Sequence, residues 1–395
     1  MNQIVQEPVK VAFRDRLTRD EWRRMAAMFG FILFLHVAGA TLMWKATTGN
    51  YVLADGTLFG WGTAALAYIL GMRHAFDADH ISAIDNTTRK LMSEGQRPLA
   101  VGFFFSLGHS SVVFLLTILL GFGIKTLGSQ LKDDDSALQH YTGLIGISVS
   151  GTFLMIIGIL NLIVLVSIVG VFIKMRQGAY NEEELEKHLD SRGLLMRFFG
   201  PIARRIDASW KMYPLGILFG LGFDTATEVA LLILAGSSTI AGLPWWAMIS
   251  LPFFFAGGMS LLDTIDGSFM NFAYGWAFSK PVRKVYYNLI ITGLSVAVAL
   301  FVGGLQILQI FAQQLNLTGG LWDSALAFNL NSAGYFIVGS FVVVWTVALL
   351  LWKYGKIEER WHNKAHEAQL SRGEESDHTA AGIGLGPIKD GFKID

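Results

Sequence analysis

Eight apolar runs, near residues 26–44, 58–80, 99–124, 142–173, 212–236, 244–276, 285–312 and 333–352, are each long enough to cross about 30 Å of hydrocarbon. Backbone groups find no water there, so segments of this length cross as α-helices. The chain therefore reads as an all-α polytopic membrane protein with about eight transmembrane helices. Its composition agrees: 52% of the 395 residues are hydrophobic and only 16% are charged, with 29 Phe and 11 Trp. The run at 142–173 exceeds one span and is expected to tilt or to extend beyond the bilayer.

The connections alternate in charge. Residues 1–25, the turn 89–97 with Arg89, Lys90 and Arg97, the loop 174–211, the turn 280–284 and the tail beyond Lys353 are basic. The opposite set, 45–57, 125–141, 237–243 and 313–332, holds few Lys or Arg and includes Asp133, Asp134 and Asp135. The positive-inside rule then places both termini in the cytoplasm. The six basic residues before position 25 precede no short apolar core or cleavage site, which argues against a cleaved signal peptide. This gives a cytoplasmic N-terminal segment (1–25), a membrane domain (26–354) and a polar tail (355–395) expected to be partly disordered. Within the loop 174–211, residues 181–190 read as a short amphipathic helix, and His362 and His366 in the tail read as solvated. Net charge is +0, so nucleic acid gains no general attraction, and the absence of cysteine excludes disulfides and thiolate metal sites.

The second span ends on GMRHAFDADHISAID at 71–85. Arg73, His74, Asp77, Asp79 and His80 thus fall at bilayer depth, where each charged side chain costs roughly 2.5–3.5 kcal/mol on insertion scales. Neutral imidazole with carboxylate oxygen suits a borderline divalent transition metal. On an ideal helix His74, Asp77 and His80 share a face and Asp79 points away. A break in the helix, common where transporters bind their cargo, would relax that restriction.

Further polar groups line the other spans. His36 lies in the first and His109, Ser110 and Ser111 in the third. Asp224, Thr225, Thr227 and Glu228 occupy the fifth, with Asp224 and Glu228 on one face. The sixth carries Ser260, Asp263, Thr264 and Asp266. Taken singly, His36 and His109 read as packed, hydrogen-bonded histidines, Arg73 as a partner for an acid or an interfacial anchor, and Asp266 as a hydrogen-bonding residue. Taken together, so many acids beside imidazoles imply convergence on one site.

Two segment pairs repeat. FDADH at 76–80 corresponds to FDTATE at 223–228, and FFFSLGHSS at 103–111 to FFFAGGMSL at 253–261, both at nearly one shift. Given the alternating topology, spans 2–4 and 5–7 would be inverted copies, as in many secondary transporters.

These segments resemble the nickel/cobalt transporter (NiCoT) family of high-affinity nickel permeases. RHAFDADHI at 73–81 matches its second-span signature, FSLGHSSVV at 105–113 its third, LGFDTATE at 221–228 its fifth and GMSLLDTID at 258–266 its sixth. The resemblance implies single-component import of Ni²⁺ or Co²⁺ across a bacterial inner membrane, the metal being cargo and no cofactor being needed. It implies that His74, Asp79 and His80 handle metal, supported by His109, Asp224, Glu228, Asp263 and Asp266. The cluster as a whole, with Asp77 among its ligands and His36, Arg73, Ser110, Thr225 and Thr227 around it, is the expected site.

No GxxxxGK[ST] stretch occurs, so no built-in nucleotide motor is expected. Efflux is the alternative within transport; the loop 174–211 carries one histidine, His188, rather than the histidine-rich stretch of related exporters. An intramembrane metallohydrolase is a distant alternative that lacks an HExxH motif. Paired histidines could also ligate haem, but the surrounding acids argue against it.

Overall fold

The computed structural model describes residues 17–53, 56–122, 137–176, 206–221, 226–240, 242–277 and 281–354. Among these the secondary structure is helical, with a single isolated bridge between Val52 and Leu58. The helices are α1 (Arg19–Thr47), α2 (Trp61–Ala75), α3 (Ala78–Ser93), α4 (Val101–Gly121), α5 (Ala137–Arg176), α6 (Met212–Gly220), α7 (Ala226–Ile240), α8 (Trp245–Met248), α9 (Ser250–Ala277), α10 (Pro281–Gln314), α11 (Leu321–Ala327) and α12 (Leu330–Tyr354). The 181–190 segment, the tail from residue 355, and Asp224 and Thr225 lie outside the described residues.

Among the described residues, six segments are long and apolar enough to cross a membrane: α1, α4, most of α5, α8 with most of α9, most of α10 and most of α12. They fall on six of the eight runs. The other two runs are each divided, into α2 with α3 and into α6 with α7. α1 opens on a reciprocal cap: the Glu21 N–H donates to Thr18 Oγ1 at 3.2 Å and the Thr18 N–H to Glu21 Oε2 at 2.7 Å. α1 and α12 each bury only 22% of their apolar window, whereas the α8–α9 segment buries 67%. The former present Leu33, Phe34, Phe336 and Val342 outward, as lipid-facing helices do, and α9 forms the centre.

Three close helix pairs organise that centre: α2 with α9, α4 with α6, and α5 with α10. All three pack through glycine. A Cβ on Gly71 of α2 would overlap the Phe255 carbonyl of α9, and one on Gly216 of α6 would overlap the Phe105 carbonyl of α4. Gly258 of α9 lies likewise against the Tyr68 carbonyl, and Gly108 of α4 against that of Tyr213. Where α5 crosses α10, Gly151 faces the Gly303 carbonyl and Gly303 faces that of Gly151. Backbones approach this closely only without side chains between them.

The second run breaks at Phe76 and Asp77. The Phe76 N–H closes onto the Arg73 carbonyl at 3.0 Å and the Asp77 N–H onto that of His74 at 2.9 Å, ending α2 in a tight turn. Asp77 is extended (φ −66°, ψ 143°) and stands at the N-cap position of α3, where aspartate is favoured. The break is braced by the last helix: Gly334 of α12 touches the Phe76 carbonyl so closely that a Cβ would overlap it, and Tyr335 stacks on Phe76 at 5.6 Å.

One sequence expectation is corrected here. Arg89 and Lys90 do not belong to the connecting turn expected at 89–97, because α3 continues to Ser93 and buries both. Arg89 Nε contacts Asp85 Oδ2 at 3.3 Å and donates to Ser295 Oγ at 2.6 Å, while Nη1 donates to Thr292 Oγ1 at 3.1 Å. Lys90 Nζ donates to the Ile206 carbonyl at 2.6 Å. A buried charge is tolerated only with such partners.

Candidate metal site

Five helices and the break converge on three imidazoles. His74 is in the last turn of α2, His80 in the first turn of α3 and His109 midway along α4. One ring nitrogen from each can be chosen so that all three lie within 4.8 Å of one another. The ring centroids are 4.6, 4.5 and 4.9 Å apart, so the rings surround a common point. All three are buried, at 0%, 1% and 2% exposure.

Second contacts orient two of the rings. His74 Nδ1 lies 2.9 Å from Thr227 Oγ1 and 3.2 Å from Asp77 Oδ2, which favours a hydrogen on that nitrogen. Nε2 then turns its lone pair toward His109 Nε2, 2.9 Å away. Two nitrogens bound to one divalent ion at 2.0–2.1 Å stand roughly 3 Å apart, so this spacing suits shared coordination. His80 Nδ1 lies 3.4 Å from Asp263 Oδ2, and its Nε2 is buried with no hydrogen-bond partner. An imidazole held by a carboxylate on one nitrogen and free on the other is the usual arrangement of a metal-binding histidine.

Carboxylates flank the rings. Glu228, at the start of α7, is fully buried; neither oxygen has a hydrogen bond, and Oε2 is 3.7 Å from His109 Nε2. Asp263 of α9 and Asp77 of the break are 1% and 2% exposed. Acids gathered around imidazoles and facing away from water are expensive unless a cation joins them. The donor set, imidazole nitrogen with carboxylate oxygen and no sulfur, matches a first-row divalent ion.

The remaining candidates lie at the edges. Asp79 turns away from the rings: Oδ1 accepts from the His80 N–H at 2.9 Å and Oδ2 from Ser150 at 3.2 Å. Thr227 joins the site through His74. Ser110 is buried, with a hydroxyl that makes no hydrogen bond. Asp266 has Asp85 and Asp263 as its charged neighbours, which places it beside the site rather than in the ring cluster. His36 hydrogen-bonds the Ile32 carbonyl at 2.7 Å, approaches Tyr68 Oη at 3.4 Å and packs against Gly257. Arg73 is exposed.

Sequence reasoning passed over Ser150, which meets Asp79, Gln306, which meets Ser150, and Asn161, which hydrogen-bonds Asn86 at 2.8 Å. Their signal was present: each is a polar residue inside a long apolar run.

Residues 60–351 match a family model, NicO, described as high-affinity nickel-transport protein. The nickel transporter NicT of Mycobacterium tuberculosis is 58% identical over 345 residues, which cover 87% of this chain and 93% of that protein. The nickel transporter NixA of Staphylococcus aureus is 47% identical over 330 residues, 84% of this chain and 94% of its own length. The cobalt transport protein NhlF of Rhodococcus rhodochrous is 40% identical over 335 residues, covering 84% and 93%. No solved structure matches.

Proposed function

This chain belongs to the high-affinity nickel-transport protein family, and we propose that it imports Ni²⁺ or Co²⁺ across a bacterial inner membrane as a secondary transporter. Nickel and cobalt transport is the activity its relatives are named for, and it is not an enzyme. The observation that carries the site is the meeting of His74, His80 and His109. In this reading the three imidazoles take the ion after it sheds water, while Asp77, Glu228 and Asp263 offset its charge; Asp224 belongs to the same set by sequence. The two metals accept the same nitrogen and oxygen ligands.

An eight-span arrangement accommodates the site, α2 with α3 crossing once as a broken helix and α6 with α7 making a further crossing. An inverted repeat of spans 2–4 and 5–7 is supported by the exchanged glycine contacts. Tyr68 and Gly71 share the spacing of Tyr213 and Gly216, as do Phe105 and Gly108 with Phe255 and Gly258, and each contact has its counterpart: Gly71 on Phe255 and Gly258 on Tyr68 correspond to Gly216 on Phe105 and Gly108 on Tyr213. The Gly151–Gly303 crossing, where the two residues play the same role, would lie on the two-fold axis. Both termini then face the cytoplasm, and the ion site sits at the repeat interface.

Import needs no ATPase partner. An inside-negative potential contributes about 2.3 kcal/mol per charge per 100 mV, and roughly twice that for a dication. Accumulation of ⁶³Ni²⁺ and ⁵⁷Co²⁺ in cells lacking other importers tests the proposal. Wild type should accumulate metal and His109→Ala should not, at equal abundance in the membrane. Depletion of cell metal by wild type would reverse the direction to efflux, and no change for either metal would overturn transport through this site.

A further inference from the structure

Two residues outside the histidine cluster act on Asp79. Its Oδ1 is held by the His80 N–H and its Oδ2 lies 3.2 Å from the hydroxyl of Ser150 on α5. Ser150 Oγ also lies 2.9 Å from the side-chain amide of Gln306 on α10. A hydroxyl carries one hydrogen and cannot donate to two acceptors. The contacts become consistent when the Gln306 amide presents its NH₂ group, since amide orientation is assigned from the hydrogen-bond network. Gln306 then donates to Ser150 and Ser150 donates to Asp79, a chain whose polarity ends on a carboxylate oxygen.

Ser150 and Gln306 are each 2% exposed and sit at the Gly151–Gly303 crossing of α5 and α10. Polar groups at such a place are costly unless hydrogen-bonded, and an apolar pair would pack the crossing without that cost. Their common target is Asp79. That residue is only partly buried, whereas His74, Asp77 and His80 are at most 2% exposed, so Asp79 stands at the rim of a closed cluster.

We propose that Ser150 and Gln306 are positioning residues for Asp79, holding its carboxylate at the rim of the histidine cluster, where it meets the ion on its way into or out of the buried site. This rests on reading the cluster as the nickel or cobalt site. Loss of the Ser150 hydroxyl frees the carboxylate to rotate, so it weakens capture without removing a ligand from the imidazole set.

The test uses the purified full-length chain and ⁶³Ni²⁺ in equilibrium dialysis, with uptake kinetics in cells alongside. Ser150→Ala should raise Kd about ten-fold, the value of one charge-assisted hydrogen bond, and raise uptake KM with Vmax per folded protein unchanged. Gln306→Leu should do the same to a smaller extent, and Ser150→Thr should restore both constants. In an Asp79→Asn background, Ser150→Ala should add nothing. The proposal is overturned if Ser150→Ala keeps the wild-type Kd, if its effect multiplies with that of Asp79→Asn, or if it lowers only the amount of folded protein. A wild type that binds no ⁶³Ni²⁺ would instead bring down the reading of the site itself.

Discussion

Replacing Glu228 with glutamine separates binding from stability, because the two should move in opposite directions. The carboxylate is fully buried, neither oxygen is hydrogen-bonded, and the nearest imidazole nitrogen is 3.7 Å away. An ion bound to that nitrogen would lie roughly 5 Å or less from the carboxylate. At an effective dielectric of about 20, a dication and a carboxylate at ~5 Å attract by about 7 kcal/mol, a gross figure that desolvation and relaxation reduce. The amide keeps the shape and one oxygen, so a net loss of about 1.5–3 kcal/mol, or ten- to a hundred-fold in Kd, is expected. Without metal the same change removes an uncompensated buried acid and should leave the protein at least as stable as wild type. Thermal unfolding of the detergent-purified protein reads both: a hundred-fold weaker Kd lowers the stabilisation by saturating Ni²⁺ by about 2.7 kcal/mol. A Glu228→Gln protein that melts earlier without metal and binds nickel as wild type does would refute the argument and make Glu228 structural.

Gly334→Ala places a methyl group on the Phe76 carbonyl and should cost about 1–3 kcal/mol by overpacking at the break; uptake and melting temperature should fall together, and an unchanged pair of values would remove α12 from the brace. Arg89→Met leaves Asp85 buried beside Ser295 without its cation and should cost about 3–5 kcal/mol, with Asp85→Asn in the same chain recovering most of the folded yield; no recovery would mean the two residues act separately. Imidazole binds metal only when neutral, so nickel affinity should be weaker at low pH than at high pH; dialysis showing tighter binding as pH falls would argue against histidine ligands.

The long runs were legible because hydropathy reports on exposure to lipid over a whole span, and α1, α4, α9, α10 and α12 fall on the runs that foretold them. The divided runs were harder to read. Each half of α2–α3 is about 23 Å long by helical rise, too short to cross alone, and α3 carries charges that lower its hydropathy. Nothing local announces the break at Phe76–Asp77 as a glycine or proline would; it depends on Gly334, more than 250 residues away in the chain. His74 and His80 stood out by their cost at depth, whereas the membership of His109 is a matter of how α4 packs. Arg89 illustrates the opposite error: a basic residue near a span end reads as interfacial, and only the position of Ser295 and Thr292 on α10 shows it to be buried.

The central claim is that three histidines from α2, α3 and α4 hold one ion. X-ray absorption at the nickel K-edge, on the purified protein loaded with one equivalent of Ni²⁺, addresses it directly. The account predicts a nitrogen/oxygen shell with the outer scattering of about three imidazoles, falling to two in His109→Ala. A spectrum of water and carboxylate oxygen alone, or one that His109→Ala leaves unchanged, would contradict it.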